Sequence, residues 1–391
     1  MMRAAEVFWE SYRRDPADMA FCPYRVCPLG AHVDHQHGKV TGFAINAGVH
    51  FAYGVKHNGI VELRSLQFPG RAQWHIHHVD EKPVGDWADY LRGATYILSQ
   101  KYPLQVGICG IIEGTMPIGG LSSSAAVIIA FLQALTKLNG IILTERELID
   151  LAYTAEKEYV GVSVGKLDQS CEVLSRKDHL LYLDTKDGSY ERIPANPVMK
   201  PYEIAIVFSG IERSLIGSKY NLRVDELKSA AYALMAYAGM EYGKFEQARL
   251  RDVPRDVFEQ YKERLPETWR KRATHFYTES QRVEQGADAW RRGDLETYGL
   301  LCFESGRSSI YNYETGSEEL KRLYEIMRTT DGIYGGRFSG AGFKGCCMAL
   351  IDPDDKQIIE ERIKREYLKA FPDLEDRFSV HFCRSADGVE L

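Results

Sequence analysis

Residues 119–126 read Gly-Gly-Leu-Ser-Ser-Ser-Ala-Ala and run directly into Val-Ile-Ile-Ala-Phe-Leu-Gln-Ala-Leu, a helical stretch apolar on nearly every side. Such a helix must be buried. Its small leading residues let backbone N–H groups approach an anion. The hydroxyls supply donors or a metal ligand, and the helix N-terminus adds partial positive charge. The segment therefore implies a cradle for nucleotide phosphates made by Gly119, Gly120, Leu121, Ser122, Ser123, Ser124 and Ala125. Helix capping is the bland alternative, but three consecutive serines followed by two alanines exceed what a cap needs. The Walker pattern is excluded, because no Gly-Lys-Ser/Thr follows the glycines.

The 391 residues suffice for two to three domains at roughly 150 each. With 45% hydrophobic and 27% charged residues the composition is that of a soluble globular protein, and no segment approaches the roughly 18 apolar residues of a membrane span. Met1 to Tyr12 mixes Arg3, Glu6 and Glu10 with Val7, Phe8, Trp9 and Tyr12, which predicts an amphipathic helix and no signal peptide. The 8 cysteines form no Cys-x-x-Cys pair and fit reduced thiols in the cytoplasm. A net charge of −6 gives no reason to expect nucleic acid or an anionic membrane as partner.

Strands are predicted over Val40–Val55, Ile60–Gln67 and Ala72–Val79, broken at Asn58-Gly59 and Pro69-Gly70. The buried helix stops at Asn139-Gly140. Thr144 and Glu147 make a capping box for a helix to about Tyr159, closed by Gly161. Pro194 to Pro201 is the candidate linker, and the strand Ile204–Phe208 opens the second half. Helices follow over Val224–Tyr242, Pro254–Arg264, Thr274–Arg292, Glu318–Arg328 and Asp354–Ala370. Strands are predicted at Arg337–Ser339, Gly345–Ile351 and Ser379–Phe382.

Three further constellations carry chemistry. The first is Arg25-Val-Cys-Pro-Leu-Gly-Ala-His-Val-Asp-His-Gln-His-Gly38. Its His32, His35 and His37 match no familiar zinc spacing even with Asp34, so the mixture reads better as hydrogen-bonding apparatus for a polyhydroxylated ligand. The second is Glu156 with Asp168, where Gly161 and Gly165 indicate that Asp168 has left the helix after a tight turn. The third, Phe338 to Cys346, is a glycine-rich turn that by itself is as readily a bulge as a ligand contact.

Together and in this order the motifs resemble the GHMP kinases, and within them the galactokinase branch. Arg25, Gly30, His32 and Asp34 match the branch's first motif, Leu121 to Ala125 the phosphate motif, Asp168-Gln169 the catalytic Asp-Gln, and Gly340 to Cys346 the closing glycine-rich motif. Ser218-Lys219-Tyr220 with Arg223 resembles the segment whose tyrosine lines the sugar pocket. The resemblance implies an α+β fold of two domains, at 1–195 (ribosomal-protein-S5-domain-2-like) and 202–391 (ferredoxin-like). It implies phosphoryl transfer from ATP to a sugar, with Asp168 at the acceptor hydroxyl, Arg25 compensating charge, and Ser124 and Glu156 holding Mg2+. Ala31, His32, Asp34, Tyr220 and Ala341 would contact the sugar, and Lys166 or Lys344 would assist.

Three departures stand out. The phosphate loop Pro117-Ile-Gly-Gly-Leu-Ser122 is one residue shorter than the family's, and the closing motif has Ala341 and Lys344 where galactokinases have glycines. Ala31 replaces a glutamate that contacts the sugar's C6 hydroxyl in galactokinases. Plant-type galacturonokinases share this alanine, and the resemblance therefore implies an anomeric sugar kinase with D-galacturonate as favoured acceptor. The alternatives are galactose, arabinose or N-acetylgalactosamine, or a non-catalytic sugar sensor. The sequence is compatible with a monomer or a homodimer.

Overall fold

The computed structural model describes residues 3–211 and 216–391, the side chains of 216–219 excepted. The first half is built on an 8-stranded sheet. Its strands are β1 (Asp18–Val26), β2 (Lys39–Lys56), β3 (Ile60–Ser65), β4 (Arg71–His75), β5 (Gly107–Gly114), β6 (His179–Asp184) and β7 (Tyr190–Pro194), joined by a late strand from the C-terminus. The order is β4-β3-β5-β2-β6-β7, with β1 pairing β2, and all pairs are antiparallel except β3 with β5. The helix Ser123–Leu138 lies against β1 and β2, its Ile128, Ile129, Phe131, Leu132 and Leu135 fully buried. That burial on every side is the one its sequence demands.

The second half carries an antiparallel sheet of β8 (Glu203–Phe208), β9 (Ile333–Phe338), β10 (Cys346–Ile351) and β11 (Ser379–Cys383) in the order β11-β8-β10-β9. Helices Glu318–Arg328 and Lys356–Ala370 cover it, giving the ferredoxin-like arrangement. The short β12 (Ser385–Ala386) then pairs with β2 through Ser385 to Ile45 and Ala386 to Ala44, so the chain end returns to the first sheet. No helix among the described residues is long and apolar enough to cross a membrane.

The structure adds elements that the sequence pattern hides. Helices Asp89–Lys101 and Leu295–Tyr311 carry Gly93, Gly299 and Gly306 in their interiors, which read as breaks. These glycines instead admit neighbours: a Cβ on Gly299 would lie 2.0 Å from the Tyr334 carbonyl oxygen. β1 is obscured by Pro23, where the register against β2 shifts before Arg25. The helix predicted from Thr144 has its capping box, but is α-helical only over Glu145–Thr154 and continues as a π turn, Ala155–Tyr159.

Candidate active site

The site forms where the two glycine-rich loops meet. Gly119 and Gly120 have φ of +131° and +88°, and Ser122 follows at +63°, a left-handed conformation that a non-glycine residue adopts at a cost. The closing loop is the reason: a Cβ on Gly120 would lie 2.7 Å from Cys346 Sγ and 2.9 Å from the Ser339 carbonyl oxygen. Ser339 Oγ donates to the Gly120 carbonyl at 2.6 Å. The glycines of the closing motif thus shape the phosphate loop by packing on it. Gly120→Ala is expected to cost about 2 kcal/mol or more in denaturant unfolding, from the strained φ and the collision together; wild-type stability would contradict this packing.

The serines do not cap the helix. Ser122 makes no side-chain capping bond, and its hydroxyl instead donates to Asp168 Oδ2. Arg25 Nε donates to Asp168 Oδ1 at 2.7 Å, and its Nη1 to the Gly120 carbonyl at 3.0 Å. Arg25 is 4% exposed. Burial alone would loosen its proton, but the Asp168 carboxylate outweighs burial and fixes the positive charge. Asp168 lies in the first turn of the helix Leu167–Leu174, whose dipole favours a carboxylate.

Ser124 Oγ donates to Glu156 Oε1 at 2.7 Å, and Gln169 Nε2 to Oε2 at 2.7 Å. Glu156 stands on the π turn, whose altered winding sets it facing the serines, as such turns do at functional sites. Burial, reinforced by the Asp168 charge, pushes its carboxyl up to about 7. A buried carboxylate short of positive charge, beside a serine hydroxyl, suits a hard divalent cation that takes oxygen donors and completes its shell with water and phosphate. Among the described residues no cluster of three or more His, Cys, Asp or Glu forms a metal site of protein ligands alone.

Arg25, Asp168, Ser122 to Ser124 and Glu156 share a cavity of about 480 Å³ with Ala31, His32, Asp34, Tyr220 and Ala341. Ala31 is 7% exposed, and its carbonyl accepts from His275 Nε2 at 3.0 Å. The His32 ring stacks on Tyr313 with centroids 4.3 Å apart. Burial, then the charge of Arg337, lowers His32 well below the usual histidine range, so the ring is neutral. Its buried Nε2 has no partner among the described residues. Burial and Asp168 raise Asp34 to about 6.

Lys166 is a correction. Its Nζ pairs with Asp150 Oδ1 at 2.5 Å and it lines a different cavity, because an acid one helix away captures it. Lys344 is also absent from the lining of the cavity that holds Arg25 and Asp168. Ser218 and Lys219 lie outside the described side chains. No motif marks Tyr90 and Asn221, which line the cavity, or a buried network behind Ala31. There Glu279 accepts from the Gly30 N–H at 2.8 Å and pairs with the fully buried Arg337. Burial would raise Glu279, but Arg282 and Arg337 overcome it and hold the carboxyl at about 2. These residues stand some 250 positions or more from the loop they fix, and no local motif marks them.

Known proteins resemble this chain over nearly its whole length. Residues 89–176 match the model of the GHMP kinases N terminal domain and residues 287–370 that of the GHMP kinases C terminal domain. The chain is 37% identical to a galacturonokinase of Arabidopsis thaliana over 94% of this chain and 92% of that one. It is 32% identical to a galactokinase of Roseiflexus sp. over 98% and 95% of the two chains. The crystal structure of Lactococcus lactis galactokinase complexed with galactose superposes with a TM-score of 0.89 at 27% identity, covering 99% of this chain and 98% of that one.

Proposed function

The chain belongs to the GHMP kinases, among their galactokinase-like sugar kinases, and on that premise we propose that it phosphorylates the anomeric hydroxyl of D-galacturonate. The observation that carries the substrate is Ala31, a buried methyl group on the cavity wall, which the motif resemblance matches to a glutamate of the galactokinases. A sugar acid meets neither that charge nor its bulk there. The unpartnered Nε2 of His32, on the adjoining residue, is left to engage the sugar.

Asp168 receives the acceptor hydroxyl. Arg25, bound to it at 2.7 Å, holds it in place and offsets charge on the phosphoryl group in flight. Ser122 and the backbone of Gly119 and Gly120 cradle the ATP phosphates, and Asp34 and Tyr220 orient the sugar. Ser124 and Glu156 would hold Mg2+, which when bound neutralises phosphate charge. Positioning and charge stabilisation of this kind suffice for phosphoryl transfer. The 8 free, buried cysteines support a reducing, cytoplasmic setting.

Incubation with ATP, Mg2+ and galacturonate is expected to yield a sugar phosphate whose phosphorus couples to the anomeric proton in NMR. A phosphate on any other hydroxyl would contradict the proposed orientation of the acceptor.

A further inference from the structure

A second cavity, of about 700 Å³, shares a wall with the sugar site. The wall is Asp34 packed on Gly165, where a Cβ would come within 2.3 Å of Oδ2, and Val162 and Val164 line both cavities. Further lining comes from the helix Glu145–Thr154, the turn from Thr185 to Gly188 between β6 and β7, and the helix Ile216–Tyr237, with Lys157 and Arg249 outside these elements. It takes no part in the phosphoryl transfer described above.

Its cations exceed what its carboxylates can satisfy. Arg146, Lys157, Lys228 and Arg249 line the cavity. Among the described residues, Arg146, Lys157 and Arg249 have no carboxylate partner. Lys157 Nζ rests on the Tyr153 hydroxyl. Arg249 spends Nη1 on the carbonyls of Glu246 and Ala248 at 2.7 and 2.8 Å, and its Nε is buried without a partner. Lys228 is 3.4 Å from Asp225, an exposed acid. Three of the four carboxylates of the wall have partners of their own: Asp150 with Lys166, which also lines the cavity, Glu145 with Arg176 and Arg192, and Asp187 with the Ser189 N–H at 2.8 Å; the fourth, Asp34, packs on Gly165. Burial and then Arg249 lower His37 below the usual histidine range, so its ring favours the neutral form, while both ring nitrogens of His35 are taken up by Gln36 and Tyr313.

We propose that this cavity binds a sugar phosphate, distinct from the sugar and nucleotide bound for catalysis. Several convergent cations suit a phosphate monoester better than a lone carboxylate, because each can make a charge-assisted hydrogen bond. The hydroxyl-bearing residues of the lining, Ser163, Ser170 and Thr185 among them, suit sugar hydroxyls, and the volume accommodates a monosaccharide. The inference goes beyond the kinase reading and does not depend on which sugar the enzyme accepts.

The test fills the active site with a non-hydrolysable ATP analogue and whichever of galactose or galacturonate the enzyme accepts. Galactose 1-phosphate and inorganic phosphate are then titrated separately by calorimetry. Galactose 1-phosphate is expected to give one further saturable binding event, tighter than that of inorganic phosphate. In Arg249→Gln its dissociation constant is expected to rise at least tenfold, with kcat within twofold of wild type. Arg146→Gln, an exposed substitution, should weaken it in the same direction and keeps the test decisive should Arg249→Gln disturb the fold. Absence of a further event, or an event unchanged in both variants, would overturn the site. Inorganic phosphate binding as tightly as the sugar phosphate would overturn its sugar specificity.

Discussion

Asp168→Asn is expected to lower kcat by about a thousandfold while the sugar's dissociation constant stays within a few fold. Asparagine preserves the side chain's size and can still accept from Arg25 Nε, now at 2.7 Å from Oδ1. What it loses is the charge that draws the acceptor proton and that holds Arg25 against the Gly120 carbonyl. Arg25 would then be a buried cation without its carboxylate, so its alignment with the transferring phosphoryl should suffer as well. Rapid-quench turnover and equilibrium sugar binding separate the two effects. A variant within tenfold of wild-type kcat would remove Asp168 from the chemistry, and a chain inactive from the outset but able to bind sugar would be a sensor.

Ala31→Glu is expected to reverse the sugar preference. A glutamate carboxylate about 4 Å from a C6 carboxylate, at an effective dielectric near 20, repels it by about 4 kcal/mol, or roughly a thousandfold in affinity. The backbone at this position cannot swing away to relieve the repulsion. The Ala31 carbonyl is held by His275 at 3.0 Å, and the preceding Gly30 N–H by Glu279 at 2.8 Å. The variant should therefore lose kcat/KM for galacturonate by two to three orders of magnitude and gain for galactose through a new hydrogen bond to the C6 hydroxyl. Unchanged selectivity would show that residue 31 does not face C6.

The parts of the site legible in the sequence are those whose chemistry is local. Small residues before an apolar helix announce an anion cradle, and the Thr144 capping box sets the start of the helix that leads to Glu156. The spacing of glycines before Asp168 correctly separates it from that helix. Contacts between distant segments left no such trace. The π turn that presents Glu156 has no signature in a sequence that reads as continuous helix. The closing glycines look like a ligand loop, yet Gly340 and Gly345 are small because Gly119 and Gly120 pack against them. Lys166 resembles a ligand by its neighbours in sequence, whereas its neighbour in space is Asp150. Glu279 and Arg337 needed the fold itself, since a buried ion pair is recognised by its surroundings.

The acceptor is the central claim, and it is tested most directly by measuring kcat/KM for galacturonate and for galactose with the same purified protein, ATP and Mg2+ concentrations. A cavity with a methyl group at residue 31 is expected to favour galacturonate by at least tenfold. A higher kcat/KM for galactose would contradict the account and return the protein to the galactokinases.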